Sequence, residues 1–325
     1  MSVGGHAGVQ TTEDGSLIIK PALPLEHKFY QDLSTQDGFK DLRPYLPKFF
    51  GTLKLEGQVD ESKSTADGSI VVKKTKDAQK DEPIGIEARW AVLQSLVLEN
   101  LSHPFLKPNI LDVKLGTVLY GEDAPPEKVE RMLKTARETT SLETGIRLTG
   151  FQVYDNITSQ PVNTPKSYGK SIKPSDLPEG IRRFFPVSSG ESSLGLPAKL
   201  LFPILQYIRE DIAEIRSALA GLHFRMVGGS LLIIYEADFA KAEEGIQWVK
   251  DVEDGKIDPE EDDDDDEDVK EEEVDKKRPP YVVKLIDFAH TRVKPGEGPD
   301  EGVLKGIDTV LSLLDGRIKE VESML

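Results

Sequence analysis

The feature that most restricts this chain is a run of charge that no core can accept. Between Asp251 and Asp275, 17 side chains are acidic and two are lysines, and Asp262 to Asp266 form an unbroken row. Like charges at that density repel, and the segment has too little apolar surface to offset the entropy of ordering it. The stretch from about residue 240 to 280 is therefore expected to be disordered. It lies between two strand-like runs, 230–235 (SLLIIY) and 281–286 (YVVKLI), and closes on Pro279-Pro280. That position makes it an insertion in a loop between neighbouring strands, either a solvated spacer or a docking tail for basic partners.

Once this insertion is set aside, the rest of the chain looks different. The tract holds −15 of the chain's formal net charge of −17, so the other 300 residues are nearly neutral. A neutral body can carry a concentrated basic patch for an anionic ligand, which an evenly acidic surface would repel. The 325 residues are enough for two lobes sharing a cleft. No apolar run approaches the roughly 20 residues of a membrane span. Residues 1–9 lack the basic and apolar regions of a secretory signal, and there is no cysteine, so disulfides and thiolate metal sites are excluded and an intracellular setting is expected.

Periodicity divides the body into a strand-rich and a helix-rich part. Short strands are expected at 17–20, 52–59, 69–73 and 90–98, with turns at Asp14-Gly15 and Asp67-Gly68, forming a small antiparallel β lobe. Leu201, Ile204, Leu205, Ile208, Ile212, Ile215 and Leu219 recur at helical spacing across 198–222, and Val303, Leu304, Ile307, Val310, Leu311, Leu314 and Ile318 do so near the end of the chain. Each predicts a long helix with one buried stripe.

Three places could carry chemistry. In 107–116 (KPNILDVKLG), strand alternation points Asp112 and Lys114 from one face. Such a pair suits phosphoryl transfer, with the carboxylate orienting or deprotonating a hydroxyl and the ammonium neutralising phosphate charge, but a surface ion pair has the same spacing. Residues 126–138 read as a helix with an apolar stripe of Val129, Met132, Leu133 and Ala136 and a cationic half of Lys128, Arg131, Lys134 and Arg137. Glu127, Glu130 and Glu138 share that half, so a plain solvated helix fits too. Asp287 closes the apolar run 281–286, where hard oxygen ligands for Mg²⁺ are often built and where turn-formers are also common.

Pro108, Asp112, Lys114 and Gly116 together match the P-x-x-x-D-x-K-x-G signature of the inositol polyphosphate kinases. Residues 229–236 (GSLLIIYE) and 286–290 (IDFAH) follow in the order of that family's S-L-L and I-D-F-A-H blocks, with weaker matches at 45–51, 167–170 and 180–185. The chain thus resembles the inositol polyphosphate kinase family, and most of all its fungal multikinase branch. The resemblance implies an α+β, bilobal kinase-like fold. Residues 1–103 would form a small antiparallel β N-lobe that binds ATP, and 104–325 a larger helix-rich C-lobe that holds the catalytic and inositol-phosphate-binding groups. The implied activity is transfer of the γ-phosphate of ATP to inositol polyphosphate hydroxyls, from tris- to tetrakis- and pentakisphosphate.

The resemblance also implies roles. Asp287 would hold the Mg²⁺ that bridges the ATP phosphates, and Lys20 would pair with those phosphates, with Glu26 as its helix-borne partner. The backbone of Glu99 and Leu101 would meet adenine at a hinge. Asp112 would reach the ATP ribose and the inositol hydroxyls, Lys114 would lie beside the accepting hydroxyl, and Lys128, Arg131, Lys134, Lys170 and His290 would bind substrate. Residues 4–8 (GGHAG) are a weak phosphate-loop candidate. The resemblance further implies residence in the nucleus or cytoplasm, and, with no coiled coil in the sequence, a monomer is expected. A protein kinase is disfavoured because H-R-D-x-x-x-x-N is missing and Asp287-Phe-Ala replaces D-F-G. Two other readings stay open: a kinase-shaped scaffold whose acidic tract recruits basic transcription or chromatin proteins, and a lipid-headgroup kinase using the same site.

Overall fold

The computed structural model describes residues 9–55, 58–59, 72–73, 93–188, 194–258 and 277–325. The first part of the chain builds β1 (Gln10–Thr11), β2 (Leu17–Pro21), α1 (Pro24–Thr35), β3 (Phe49–Leu55), the two-residue pair β4 (Gln58–Val59) and β5 (Val72–Lys73), and β6 (Leu93–Glu99). Four of these form an antiparallel sheet in the order β1-β2-β6-β3. The expected β lobe is therefore present. Residues 69–71 and 90–92 of the expected strands, and the 4–8 loop, lie outside the described residues.

The second sheet follows. It comprises β7 (Pro108–Leu115), β8 (Ile146–Asp155), β9 (Gln160–Thr164), β11 (Ser230–Glu236) and β12 (Tyr281–Ile286), in the order β12-β11-β7-β8-β9. Between β7 and β8 come α2 (Pro126–Glu138) and the short α3 (Ser141–Thr144). After β9 come α4 (Lys166–Ser171), α5 (Leu177–Phe184), the long α6 (Ala198–Ala220) and β10 (Phe224–Val227), which pairs with β13 (His290–Val293). The chain ends in α8 (Glu301–Glu322).

Strand alternation decides what faces where. On β7, Leu111, Val113 and Leu115 are buried in the core that holds the apolar stripes of α6 and α8. Asp112 and Lys114 take the opposite face, in register with Leu232 and Ser230 of β11. One face of this sheet is thus anchored by helices while the other offers polar groups to a cleft.

One expectation is corrected. Disorder was expected from residue 240, but Phe239–Glu253 is a helix, α7. Asp238 caps it, accepting from the N–H groups of Ala240 and Lys241, and Ala242, Gly245 and Ile246 are buried. Gly245 sits so close to Arg278 and Pro280 that a Cβ there would meet main-chain atoms at 2.8–2.9 Å. The acidic density begins only where this apolar face ends, and averaging over the whole stretch hid the helix. Residues 259–276 of the expected insertion lie outside the described ones, and β11 and β12 on either side pair directly, as expected.

Two contacts tie the layers to the cleft. Phe288 is buried and stacks on Phe29 of α1, centroids 4.4 Å apart, with Tyr30 edge-on at 5.8 Å. Behind β7, α8 approaches the main chain through glycine: a Cβ on Gly306 would lie 2.4 Å from the Gly145 carbonyl oxygen, which itself accepts the N–H of Gly116 at 2.8 Å.

Candidate active site

Asp287 is the centre of the cleft. Immediately after β12 its backbone turns left-handed, φ +66°, which aspartate tolerates better than most residues. The turn sends Phe288 into the core beside α1 and leaves the carboxylate in the cleft. Its Oδ1 accepts from Lys20 Nζ at 2.9 Å and its Oδ2 from Lys114 Nζ at 2.8 Å. One carboxylate thereby joins a lysine of the first sheet to a lysine of the second. A left-handed aspartate costs about 1–3 kcal/mol, a cost these two charge-assisted bonds can offset.

Each lysine has a second anchor. Lys20 Nζ also donates to Glu26 Oε1 at 2.9 Å, and Glu26 is almost fully buried on α1. Burial alone would depress the Lys20 ammonium, but the carboxylates of Asp287 and Glu26 outweigh it and hold it at about 12. Lys20 therefore stays charged at any pH where an enzyme works. Lys114 Nζ donates to the Gly228 carbonyl at 3.0 Å. Tyr30, under this cluster, has its hydroxyl pushed well above its usual range by burial and by Glu26, Asp287 and Glu99.

Asp112 is buried two residues before Lys114, and its Oδ1 has no hydrogen-bond partner among the described residues. The ladder to β8 is irregular here: Leu111 pairs with Phe151 and Val113 with Leu148, so Thr149 and Gly150 both oppose Asp112. Such a bulge bends the strand and re-aims a side chain. Thr149 Oγ1 bonds the Asp112 carbonyl at 3.0 Å, and Gly150 takes φ +105°. A buried carboxylate oxygen with no internal partner is a group that awaits an external donor.

Arg147 was not among the expected site residues. It stands opposite Lys114 on β8; burial lowers its guanidinium while the charge of Asp112 pulls it back up, and its Nη1 is buried without a partner among the described residues. The available signal was an arginine between two buried apolar residues, Ile146 and Leu148, at the start of β8.

The remaining expected residues are more scattered. Glu99 ends β6; its N–H donates to the Lys48 carbonyl and its Oε1 accepts the Lys48 N–H. Leu101 follows in a turn fixed by Asn100, whose amide donates to the Gly15 carbonyl at 2.7 Å. His290 begins β13, where burial and then Lys128 and Arg292 keep its imidazole below its usual value against a weaker pull from Glu26. His290 thus feels the charge of both Lys128 on α2 and Glu26 on α1. Lys128 is half-buried, whereas Arg131 and Lys134 are exposed, and Lys134 meets Glu138 only at 3.8 Å. Leu133, assigned to the apolar stripe of α2, is instead 37% exposed. Lys170 is exposed on α4, which lies against β8 so closely that a Cβ on Gly169 would overlap the Leu148 carbonyl. It joins none of the ion pairs of the Asp287 cluster.

Two sheets joined by a lysine–aspartate–lysine bridge, with a buried glutamate behind the first lysine and an aspartate beside the second, define a kinase-like phosphotransferase cleft. Comparison with known proteins agrees. The inositol polyphosphate kinase family model matches residues 95–315. The chain is 33% identical to the inositol polyphosphate multikinase of Saccharomyces cerevisiae over 95% of each protein. It is 28% identical to inositol hexakisphosphate kinase 1 of Mus musculus over 68% of this chain, spanning 51% of that protein. A crystal structure of the Saccharomyces cerevisiae inositol phosphate multikinase in complex with ADP and Mn²⁺ superposes with a TM-score of 0.61 at 26% identity, covering 94% of this chain and 100% of that one. The chain belongs to the inositol polyphosphate kinase family.

Proposed function

We propose that this protein is an ATP-dependent multikinase that phosphorylates inositol polyphosphates. The observation that carries the reading is the Asp287 carboxylate shared between Lys20 and Lys114, because phosphoryl transfer needs positioning and charge stabilisation where two substrates meet. The near full-length likeness to a yeast multikinase supports it, and the likeness to a hexakisphosphate kinase covers only part of the chain.

The donor set suits magnesium. Among the described residues no three acidic or histidine side chains gather as a protein cage. Asp287 supplies a single carboxylate, as in Mg²⁺ sites that take their other ligands from phosphates and water. When bound, the ion neutralises charge on the nucleotide phosphates. Lys20, fixed by Glu26, orients those phosphates; Lys114 stabilises charge on the transferred group; the unpartnered oxygen of Asp112 accepts a hydrogen bond from the attacking hydroxyl. Lys128, Arg131, Lys134 and His290 face the anionic acceptor, and backbone at Glu99 and Leu101 meets adenine. Asp112 acts chiefly by positioning, since a loose, metaphosphate-like transfer demands little deprotonation of the nucleophile.

Purified protein with Mg-ATP is expected to convert inositol 1,4,5-trisphosphate to tetrakis- and then pentakisphosphate, resolved by ion-exchange chromatography. ATP consumption without a soluble inositol phosphate product, or product formed only from phosphoinositide vesicles, would overturn the assignment. For the acidic tract we assign docking of basic nuclear proteins; deleting residues 260–273 should abolish such binding and leave turnover intact.

A further inference from the structure

Facing the cleft, two strands from Asp112, is a lysine that this chemistry does not use. Lys284 of β12 stands in register with Leu232, which stands in register with Asp112, so all three share one face of the sheet. Its ammonium does not reach the Asp287 cluster. It donates instead to the Pro44 carbonyl at 2.5 Å, across to the segment that precedes β3.

That segment, residues 43–48, is tied down in four directions. Arg43 donates to the carbonyls of Leu33 and Gln36 at the end of α1, the helix that carries Glu26. The Tyr45 hydroxyl bonds Glu214 of α6, and Lys284 holds Pro44 from β12. Lys48 exchanges main-chain and side-chain hydrogen bonds with Glu99 at the end of β6. A single strut thus reaches α1, the strand end assigned to adenine and two elements of the larger sheet's layer.

We propose that Lys284 is a positioning residue for the nucleotide: through the Pro44 carbonyl it fixes the 43–48 strut, and through the strut the strand end at Glu99. A half-buried ammonium is costly to place, and burial does lower Lys284 while Glu99 and Asp211 oppose the fall. Asp211 of α6 acts on it directly; around Asp211 stand Glu210, Glu214 and Tyr281, with Tyr45 of the strut beside Tyr281, a group with more acids than cations. Lys284 supplies the positive charge that lets the strut settle against this acidic face of α6. This adenine-side role rests on the kinase reading, but is tested separately from it.

The test measures ADP affinity by calorimetry and steady-state constants for both substrates in Lys284→Met, Lys284→Arg and Tyr45→Phe. Lys284→Met is expected to raise the ADP Kd and the ATP KM about tenfold, the loss of one charge-assisted contact, with kcat and the inositol trisphosphate KM within about twofold. Lys284→Arg should recover most of the affinity. Tyr45→Phe, which keeps the ring and removes one tie of the strut, should shift the same two constants about threefold. If Lys284→Met folds and binds ADP like wild type, or if it alters kcat and both KM values equally, the proposal is overturned. Should Lys284→Met not fold, unchanged ADP affinity in Tyr45→Phe overturns it. Wild-type protein without turnover would sink the kinase reading instead, while ADP affinity would still report on the strut.

Discussion

The charges around Asp287 and those on α2 solve different problems. Lys20, Glu26, Asp287 and Lys114 are 2–20% exposed and bonded at 2.8–2.9 Å from three directions. On α2, Lys134 and Glu138 are 72% and 64% exposed and barely touch. The first group is preorganised and screened from water, so each member carries a large share of any electrostatic work. The second is a solvated field, in which each charge adds a little and salt weakens all of them. Transfer chemistry needs the former, whereas holding an anion with many phosphates can be spread over the latter.

The sharpest way to break this contrast is Asp287→Ala. It removes the shared carboxylate and leaves two facing ammonium groups, and kcat should fall at least about a thousandfold. Lys114→Met should lower kcat roughly a hundredfold while ADP binding by calorimetry survives, because Lys20 and Asp287 stay paired. Lys128→Ala or Arg131→Ala should raise the KM for inositol trisphosphate by roughly tenfold at low salt and less at high salt, with kcat intact. A fall in kcat instead would place α2 with the preorganised group and erase the distinction.

The smallest effect concerns an acid that is shielded like Asp287 but lacks two bonded cations. Asp211 has its carboxyl raised by burial to about 6, with Tyr281 and Lys284 only partly opposing and Glu214 and Glu210 adding to the rise. A raised acid contributes stability that is complete below its unfolded value near 3.8 and is lost as pH climbs through about 6. Asp211→Asn should therefore stabilise the protein at pH 8 by about 1–2 kcal/mol, after discounting for solvent, and flatten the dependence of its melting temperature between pH 4 and 7.

How much of this was readable in the residues depended on range. The alternation around Asp112 and Lys114, the limits of α2 and the stripes of α6 and α8 are local periodicities, and the structure keeps them. The bridge itself is not local: Lys20 and Asp287 lie 267 residues apart, and only motif resemblance suggested they belong together. Helix α7 was lost because charge was averaged across a boundary that Asp238 and Ile246 define one residue at a time. Arg147 was hidden because nothing in a strand's spacing tells which neighbouring strand it will join, and the bulge of β8 opposite Asp112 depends on pairing between strands.

The seam between Gly306 and Gly145 makes distant sequence answerable for chemistry at β7. The Gly145 oxygen that Gly306 nearly touches also receives the N–H of Gly116, two positions beyond Lys114. One added methyl at 306 has nowhere to go except against that oxygen, and the push would travel along a main-chain bond into the strand that carries Lys114. The final helix, remote from every reacting atom, is therefore the backstop that sets how far forward Lys114 can stand.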